Sequence, residues 1–167
     1  MSNYINKNLY SNFLTVIIIF SLDRISKYYV ILLNEKNLSP DIFTSKYLNI
    51  SLIWNQGIAF GLFSFNEVNL YNFLTALIAI IIAIIFFMIL RSEGIKKYSL
   101  LMILGGALGN LYDRIFYKAV PDFIDFHIGN FHWFIFNVSD IFISLGVLFL
   151  ILQELIDNKT NETNEKK

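Results

Sequence analysis

Four long apolar stretches dominate the chain and are separated by more polar connections. A helix needs about 20 consecutive, mostly apolar residues to cross the hydrocarbon core of a bilayer. The pattern therefore predicts four transmembrane helices, at about 13–33, 70–90, 98–116 and 134–155. Only the stretch 70–90 is free of charged residues, and the other three carry ionisable side chains that need a separate explanation.

The connections between these stretches predict structure outside the bilayer. We expect 34–69 and 117–133 to be extracytoplasmic, and Tyr47–Trp54 alternates apolar and polar residues as a short β-strand does. A small sheet at the outer surface follows from that strand. The aromatic-rich segment 117–133 is expected to lie at the membrane interface. We predict one domain over 1–157 and a polar, disordered cytoplasmic tail over 158–167.

Basic residues near the ends of the spans predict the orientation in the membrane, because lysine and arginine accumulate on the cytoplasmic side. Most of these basic residues lie in the short connection after the second stretch and near the two ends of the chain. They are Lys7, Arg91, Lys96, Lys97, Lys159, Lys166 and Lys167. The opposite side carries fewer: Lys36, Lys46, Arg114 and Lys118. Both termini are therefore predicted to be cytoplasmic.

Composition narrows the class of protein. Hydrophobic residues make up 56% of the chain and charged residues 16%, against about 45–50% and about 25% in soluble domains. These values exclude a disordered protein, a nucleic-acid binder driven by basic charge and most water-soluble enzymes. The chain contains no cysteine, which excludes a disulfide, a thiol nucleophile and a thiolate metal site.

Ionisable groups inside the apolar stretches are costly, at roughly 2.5–3.5 kcal/mol each near the bilayer centre, so they face a helix bundle, pair or serve function. Asp23 and Lys27 are four residues apart in the order that favours an ion pair. Either they form a pair that lets both enter the membrane edge, or they hold a site together. In the third stretch, Gly106, Asn110 and Arg114 repeat every four residues and line one stripe.

Two aspartates near the fourth stretch suggest acid–base chemistry. Asp140 shares a helix face with Asn137, and Asp122 precedes it by enough chain for one loop to fold back. Two carboxyl groups in close proximity share a proton, so that one acts as a base toward water and the other polarises a carbonyl group. The alternative is that Asp140 is a protonated, hydrogen-bonded residue of the bundle core.

Other chemistries find no support in the sequence. There is no G-x-S-x-G nucleophile elbow, no H-E-x-x-H zinc motif and no phosphate-binding loop. The two histidines, His127 and His132, are expected to be interfacial residues and not metal ligands. A different class stays open, namely a small non-enzymatic membrane proton or ion carrier or a structural subunit, since buried carboxyl groups suit that role as well.

Five blocks of polar and small residues carry these features along nearly the whole chain. They are DRISK (23–27), NQGIAFG (55–61), GGALGNLYDR (105–114), VPDFIDF (120–126) and FNVSD (136–140). In this order, at these spacings and on a chain of this length, the blocks resemble bacterial lipoprotein signal peptidase, also called signal peptidase II.

The resemblance implies an intramembrane aspartyl endopeptidase that removes the signal peptide of a prolipoprotein. It implies that the substrate cysteine already carries diacylglycerol, and that cleavage falls immediately before this cysteine. It assigns the catalytic pair to Asp122 and Asp140, with no metal and no cofactor. By the same resemblance, the site-supporting and substrate-binding residues are Asp23, Lys27, Asn55, Gly106, Asn110, Arg114 and Asn137.

The resemblance also implies a fold and a location. The expected fold is an all-α integral membrane protein, with four transmembrane helices, a small extracytoplasmic β-cradle and a short interfacial helix. The expected location is the bacterial cytoplasmic (inner) membrane, with the active site near the outer face. Expected partners are the lipidated prolipoprotein, membrane lipid and the inhibitor globomycin, but no nucleic acid.

Two residues depart from the family pattern. Ser139 stands where alanine commonly precedes the last aspartate, and Pro121 stands where valine often precedes the first. Proline fixes φ and removes a backbone donor, which is expected to stiffen the approach to Asp122. Neither change removes a functional group, so both affect fine geometry only.

Overall fold

The computed structural model describes residues 2–36, 41–57 and 68–165. These residues form four helices and four strands, and the strands follow α1 and α3 in pairs. They are α1 Ser2–Lys36, β1 Asp41–Thr44, β2 Leu48–Asn55, α2 Val68–Leu90, α3 Gly94–Tyr117, β3 Val120–Ile128, β4 Phe131–Phe136 and α4 Val138–Glu165.

Helix α3 lies at the centre of the bundle and packs against α1, α2 and α4. Glycines make two of these approaches possible. A methyl group on Gly105 would lie 2.9 Å from the Ile19 side chain of α1, and one on Gly106 would lie 2.6 Å from the backbone oxygen of Ser139 in α4. On its other side α3 forms an apolar core with α2 that includes Ile82 and Leu100. Asn110 and Asp113 of α3 are therefore close to neighbouring helices.

The four strands form one antiparallel sheet in the order β1-β2-β3-β4. In the central pair, Asn55 lies opposite Val120 and Trp54 opposite Pro121. Strands β3 and β4 are joined by a two-residue turn whose first residue, Gly129, has a φ of +59°. Glycine accommodates this positive φ without steric cost, as type II′ hairpins require. The hairpin returns the chain from α3 to the start of α4.

The expected elements are confirmed in kind, with three corrections. Strand β2 confirms the strand predicted at Tyr47–Trp54, shifted by one residue. The aromatic-rich segment 117–133 forms β3 and the first half of β4. The last helix begins at Val138 and not at residue 134. The same helix continues to Glu165, because no proline or glycine interrupts the polar tail that was expected to be disordered. The described ranges contain no short interfacial helix.

Large apolar side chains point outward from all four helices, as they do in a protein surrounded by lipid. Examples are Phe13, Phe73, Phe87, Phe116 and Leu155, each more than half exposed. By length and composition, two of the helices in the described part of the chain could cross a membrane, at Tyr71–Leu90 and Val138–Asp157. These two helices, α2 and α4, match the two most apolar stretches of the sequence.

Candidate active site

Asp122 and Asp140 reach the same cavity from different elements. Asp122 is the third residue of β3, and Asp140 lies in the first turn of α4. The β3–β4 hairpin lies between them in the chain and folds back, as predicted from the length of the segment between Asp122 and Asp140. Both line a cavity of about 750 Å³. The site therefore joins one carboxyl group from the sheet with one from the bundle.

Asn137 connects the two carboxyl groups directly. Its side-chain Nδ2 donates to Asp122 Oδ1 at 2.6 Å. Its backbone N–H donates to Asp140 Oδ2 at 3.1 Å, while its Oδ1 accepts the Asp140 backbone N–H at 3.1 Å. This reciprocal pair caps the N-terminus of α4 in the manner of a capping box. Because Asn137 is fully buried, the cap fixes both carboxyl groups around one amide.

Each carboxyl group has a second amide donor of its own. Asn55, at the end of β2, donates from Nδ2 to Asp122 Oδ2 at 2.9 Å, and its Oδ1 accepts the backbone N–H of Gly57 at 2.8 Å. Asn110, on α3, donates from Nδ2 to Asp140 Oδ1 at 2.8 Å. The structure therefore brings together all three asparagines that the resemblance selected.

Burial changes the acidity of the sheet carboxyl group. Removal of Asp122 from water, together with the negative charge of Asp140, raises the pKa of Asp122 to about 6, against the hydrogen bonds from Asn55 and Asn137 that lower it. A carboxyl group with such a pKa can hold a proton in mildly acidic surroundings. This is the behaviour expected for the acid member of a carboxyl pair.

Below the carboxyl pair lies a buried ionic cluster between α1 and α3. Lys27 Nζ contacts Asp23 Oδ1 at 2.9 Å, Asp113 Oδ2 at 2.7 Å and Asn110 Oδ1 at 2.9 Å. Arg24 also binds both acids, at 2.7 Å to Asp23 Oδ2 and 2.7 Å to Asp113 Oδ2. The predicted Asp23–Lys27 pair exists, but it is one edge of a network that crosses helices and reaches Asn110. The geometry thus favours the hypothesis that it holds a site together.

Asp113 and Arg24 were not among the predicted site residues. Asp113 lies three residues after Asn110, on the same face of α3, and is fully buried. Arg24 directly follows Asp23, and its guanidinium lies over the ring of Tyr112 at 4.8 Å. The sequence could have indicated both residues, because an acid one helical turn from Asn110 and inside an apolar stretch requires a cationic partner.

Arg114 binds the turn after β2 and not the adjacent Asp113. Its Nη2 donates to the backbone oxygen of Gly57 at 2.7 Å, and the guanidinium is almost fully buried beside the cavity. The Asp113 carboxylate instead faces α1, where Arg24 and Lys27 bind it. Arg114 therefore ties the turn after β2 to α3.

Gly106 and Gly109 bring α4 against α3 at the level of the site. A methyl group on Gly106 would clash with the backbone oxygen of Ser139, and one on Gly109 with the Ser139 hydroxyl and with Asp23 Oδ2 at 2.6 Å. Asp23 in turn accepts the Ser139 backbone N–H at 3.0 Å. An acid from α1 thus satisfies a free N–H at the start of α4, so these glycines position the helix that carries Asp140.

The histidines lie away from the carboxyl pair. His132 Nδ1 contacts Asp125 Oδ2 at 2.8 Å, and the ring of His127 stacks on that of His132 at 5.0 Å. Asp125 points to the opposite face of β3 from Asp122, as residues an odd number apart on a strand do. In the described ranges, no group of three or more histidine or acidic residues is arranged to hold a metal ion.

Comparison with known proteins places the chain in a family. The sequence profile of the signal peptidase (SPase) II family matches residues 15–156. The chain belongs to the signal peptidase II family. A lipoprotein signal peptidase of Pelagibacter ubique (strain HTCC1062) is 53% identical over 165 residues, which is 97% of this chain and 99% of that protein. One of Anaplasma phagocytophilum (strain HZ) is 42% identical over 83% of this chain and 87% of its own.

Solved structures support the fold of this signal peptidase II family member. One bacterial membrane enzyme, at 24% identity, superposes with a TM-score of 0.72 over 90% of each chain. A second, at 25% identity, superposes with a TM-score of 0.65 over 87% of this chain and 92% of its own. The protein is thus a peptidase by family and resembles membrane enzymes in structure.

Ser139, which replaces the common alanine of the family, leaves a hydroxyl group unpaired. Its Oγ is buried and has no hydrogen-bond partner. An unsatisfied buried hydroxyl costs about 1–3 kcal/mol, so Ser139→Ala is expected to raise the free energy of unfolding by about 1 kcal/mol. Chemical unfolding of the purified protein in detergent measures this change.

Ser99 is the matched control, because it is equally buried but its Oγ donates to the backbone oxygen of Ile95 at 3.0 Å. Ser99→Ala is expected to leave the stability unchanged or to lower it. Any loss of stability in Ser139→Ala would contradict the assignment of an unpaired hydroxyl.

Proposed function

We propose that this member of the signal peptidase II family, which removes the signal peptide from prolipoproteins, is of the aspartic type and cuts immediately before a diacylglyceryl-modified cysteine. The observation that carries this proposal is the joint binding of Asp122 and Asp140 by Asn137, at 2.6 Å and 3.1 Å. Two carboxyl groups at one cavity, with neutral amide donors on every oxygen, suit a shared proton and a bound water molecule.

The proposed reaction is a general acid–base hydrolysis. The ionised carboxyl group takes a proton from a water molecule, whose oxygen attacks the scissile carbonyl carbon. The protonated carboxyl group donates its proton to the carbonyl oxygen, which gives a neutral tetrahedral intermediate. Collapse of the intermediate transfers a proton to the nitrogen and breaks the C–N bond. The products are the free carboxyl terminus of the signal peptide and the free amino group of the lipidated cysteine.

The remaining site residues are proposed to support this chemistry. Asn55, Asn110 and Asn137 orient the carboxyl groups, as their hydrogen bonds suggest. Arg114 orders the turn that follows Asn55. Asp23, Lys27 and Gly106 hold α1, α3 and α4 together below them. Globomycin is proposed to inhibit by occupying the same cavity.

The proposed placement has four membrane-spanning helices in the bacterial cytoplasmic membrane, with both termini in the cytoplasm. Supporting this, the strands follow the C-terminal ends of α1 and α3 and precede the N-terminal ends of α2 and α4, and the carboxyl pair lies where β3 and α4 meet. The ionisable residues Asp23, Lys27, Asp113 and Arg114 of α1 and α3 are buried, which removes the main objection to these helices crossing lipid. We propose one domain over 1–157, with 158–167 on the cytoplasmic side.

The cavity suits an apolar substrate segment that arrives from the bilayer. Apart from the polar groups of the site, its lining is aliphatic and aromatic and includes Ile78, Phe126, Trp133, Phe134 and Leu145. These residues come from α2, the β3–β4 hairpin and α4, so the cavity meets both the bundle and the sheet. A peptide that carries a lipid would find apolar walls on both sides of the scissile bond.

A proton or ion carrier is supported less well. A carrier needs ionisable groups near the midplane with routes to both faces. The carboxyl pair instead lies where β3 meets the first turn of α4, and α2 offers no charged side chain over Tyr71–Leu90. The placement favours chemistry at one membrane surface.

The proposal is tested by incubating the purified protein in lipid vesicles with two forms of one prolipoprotein, with and without diacylglycerol on its cysteine. Mass spectrometry identifies the cut. We expect cleavage of the lipidated form only, immediately before the cysteine, because the apolar cavity and the bilayer both select the lipidated chain. Cleavage of neither form, or of both at equal rates, would contradict the proposed substrate class.

A further inference from the structure

The two carboxyl groups lie in different electrostatic surroundings. The hydrogen bonds to Asp122 come from two neutral side-chain amides, those of Asn55 and Asn137. Asp140 instead accepts the backbone N–H of Asn137 at the start of α4, where the helix dipole stabilises negative charge. Its other oxygen accepts from Asn110. Helix α4 therefore stabilises a negative charge on Asp140, whereas β3 gives Asp122 no equivalent stabilisation.

Lys27 strengthens this difference through Asn110. An ammonium group can only donate hydrogen bonds, so the 2.9 Å contact fixes Asn110 Oδ1 toward Lys27 and turns Nδ2 toward Asp140. The positive charge polarises the amide that donates to the carboxylate, and such chains of hydrogen bonds reinforce one another at low dielectric. Lys27 thus acts on Asp140 through one intermediate side chain.

Charge balance around the pair calls for one negative charge and not two. The charged side chains of the adjoining cluster on α1 and α3 are the buried Asp23, Lys27, Asp113 and Arg114 and the partly exposed Arg24. They carry one positive charge more than negative charges. Helix α2 adds none over 71–90, and the Asp125–His132 pair lies on the other face of β3. One ionised carboxyl group neutralises the site, whereas two would leave an uncompensated buried charge.

We propose that Lys27 and Asn110 are positioning residues that keep Asp140 as the ionised member of the pair, so that the shared proton resides on Asp122. The inference rests on the proposed function and assigns its two roles: Asp140 takes the proton from water, and Asp122 gives its proton to the carbonyl oxygen. Arg114 faces both carboxyl groups but donates to Gly57, so it favours neither through a hydrogen bond.

The test uses two matched substitutions, each of which removes one amide donor from one carboxyl group. The measurement is the pH dependence of kcat/KM for the lipidated prolipoprotein in vesicles. Asn110→Ala removes a donor from Asp140, so the acid limb of the profile is expected to move up by about one pH unit while the alkaline limb stays. Asn55→Ala removes a donor from Asp122, so the alkaline limb is expected to move up while the acid limb stays.

The reverse pattern, equal movement of both limbs in either variant, or no movement would overturn the assignment. Lys27→Met, assayed below its melting temperature, is expected to move the same limb as Asn110→Ala, an effect that loss of structure alone does not produce. If Asn110→Ala does not fold, Asn110→Ser gives the same comparison. Failure of the unsubstituted protein to cleave would instead reject the proposed function, so the two failures are distinguishable.

Discussion

Asp122→Asn and Asp140→Asn are each expected to lower the rate of prolipoprotein cleavage by about 10³-fold. An amide can neither take a proton from water nor return one to a carbonyl oxygen, while its shape preserves most of the site. Initial rates of signal-peptide release, measured with lipidated substrate in vesicles, give the size of the loss. Both variants are expected to remain in the membrane fraction and to melt within a few degrees of the unsubstituted protein.

Asp125→Asn is the control for this experiment. Asp125 is buried on the same strand, three residues after Asp122, and contacts His132 on the opposite face. It lies outside the cavity lining, so its substitution is expected to leave the rate within about twofold, in line with a site that does not contact the reaction. An unchanged rate in Asp122→Asn or Asp140→Asn, or an equal loss in Asp125→Asn, would refute the carboxyl pair.

Lys27→Met is expected to lower the free energy of unfolding by about 3–5 kcal/mol. The substitution leaves Asp23 and Asp113, both fully buried, with Arg24 as their remaining cation. A buried carboxylate without its partner retains its desolvation cost and loses the Coulomb attraction that offset it. Thermal and chemical unfolding in detergent measure the change.

Lys96→Met serves as its control. Lys96 lies in the first turn of α3, on the exposed surface, and its substitution is expected to change the stability by less than about 0.5 kcal/mol. Equal stabilities of Lys27→Met and Lys96→Met would mean that the cluster between α1 and α3 contributes nothing to the bundle.

The hydrophobic pattern predicted the helices well because lipid and bundle core both require long apolar runs. It failed at the start of α4, where Phe134 and Phe136 continue the apolar run but belong to β4. The turn Gly129–Asn130 between two aromatic segments was the local signal of a hairpin. Aromatic residues suit both a strand and a membrane interface, so composition alone could not separate them.

The candidate site was only partly accessible to the same reasoning. The spacing of Asn137 and Asp140 predicted that both lie on one face of a helix. The pattern N-x-x-D ahead of an apolar run is also typical of a helix N-cap. The structure has this cap. Resemblance selected Asn55 and Asn110, but no sequence rule pairs each with a particular carboxyl group. That pairing depends on the register of β2 against β3 and on the packing of α3 against α4.

The ionic cluster shows the same limit. Asp23 and Lys27 could be paired from their helical spacing, whereas the contacts of Lys27 with Asp113 and Asn110 span more than 80 residues. Such contacts follow from which helix lies beside which, and the sequence pattern leaves that open. The Asp23–Lys27 pair is therefore part of a larger network that contacts the site through Asn110.

The proximity of Asp122 and Asp140 can be measured most directly with thiols, because the chain contains no cysteine. The double variant Asp122→Cys/Asp140→Cys is treated in vesicles with a short bifunctional thiol reagent, and its intact mass is determined. We predict that one reagent molecule bridges both thiols, and that the control Asp125→Cys/Asp140→Cys takes up two separate molecules. Separate labelling of both thiols in the first variant would contradict a shared site.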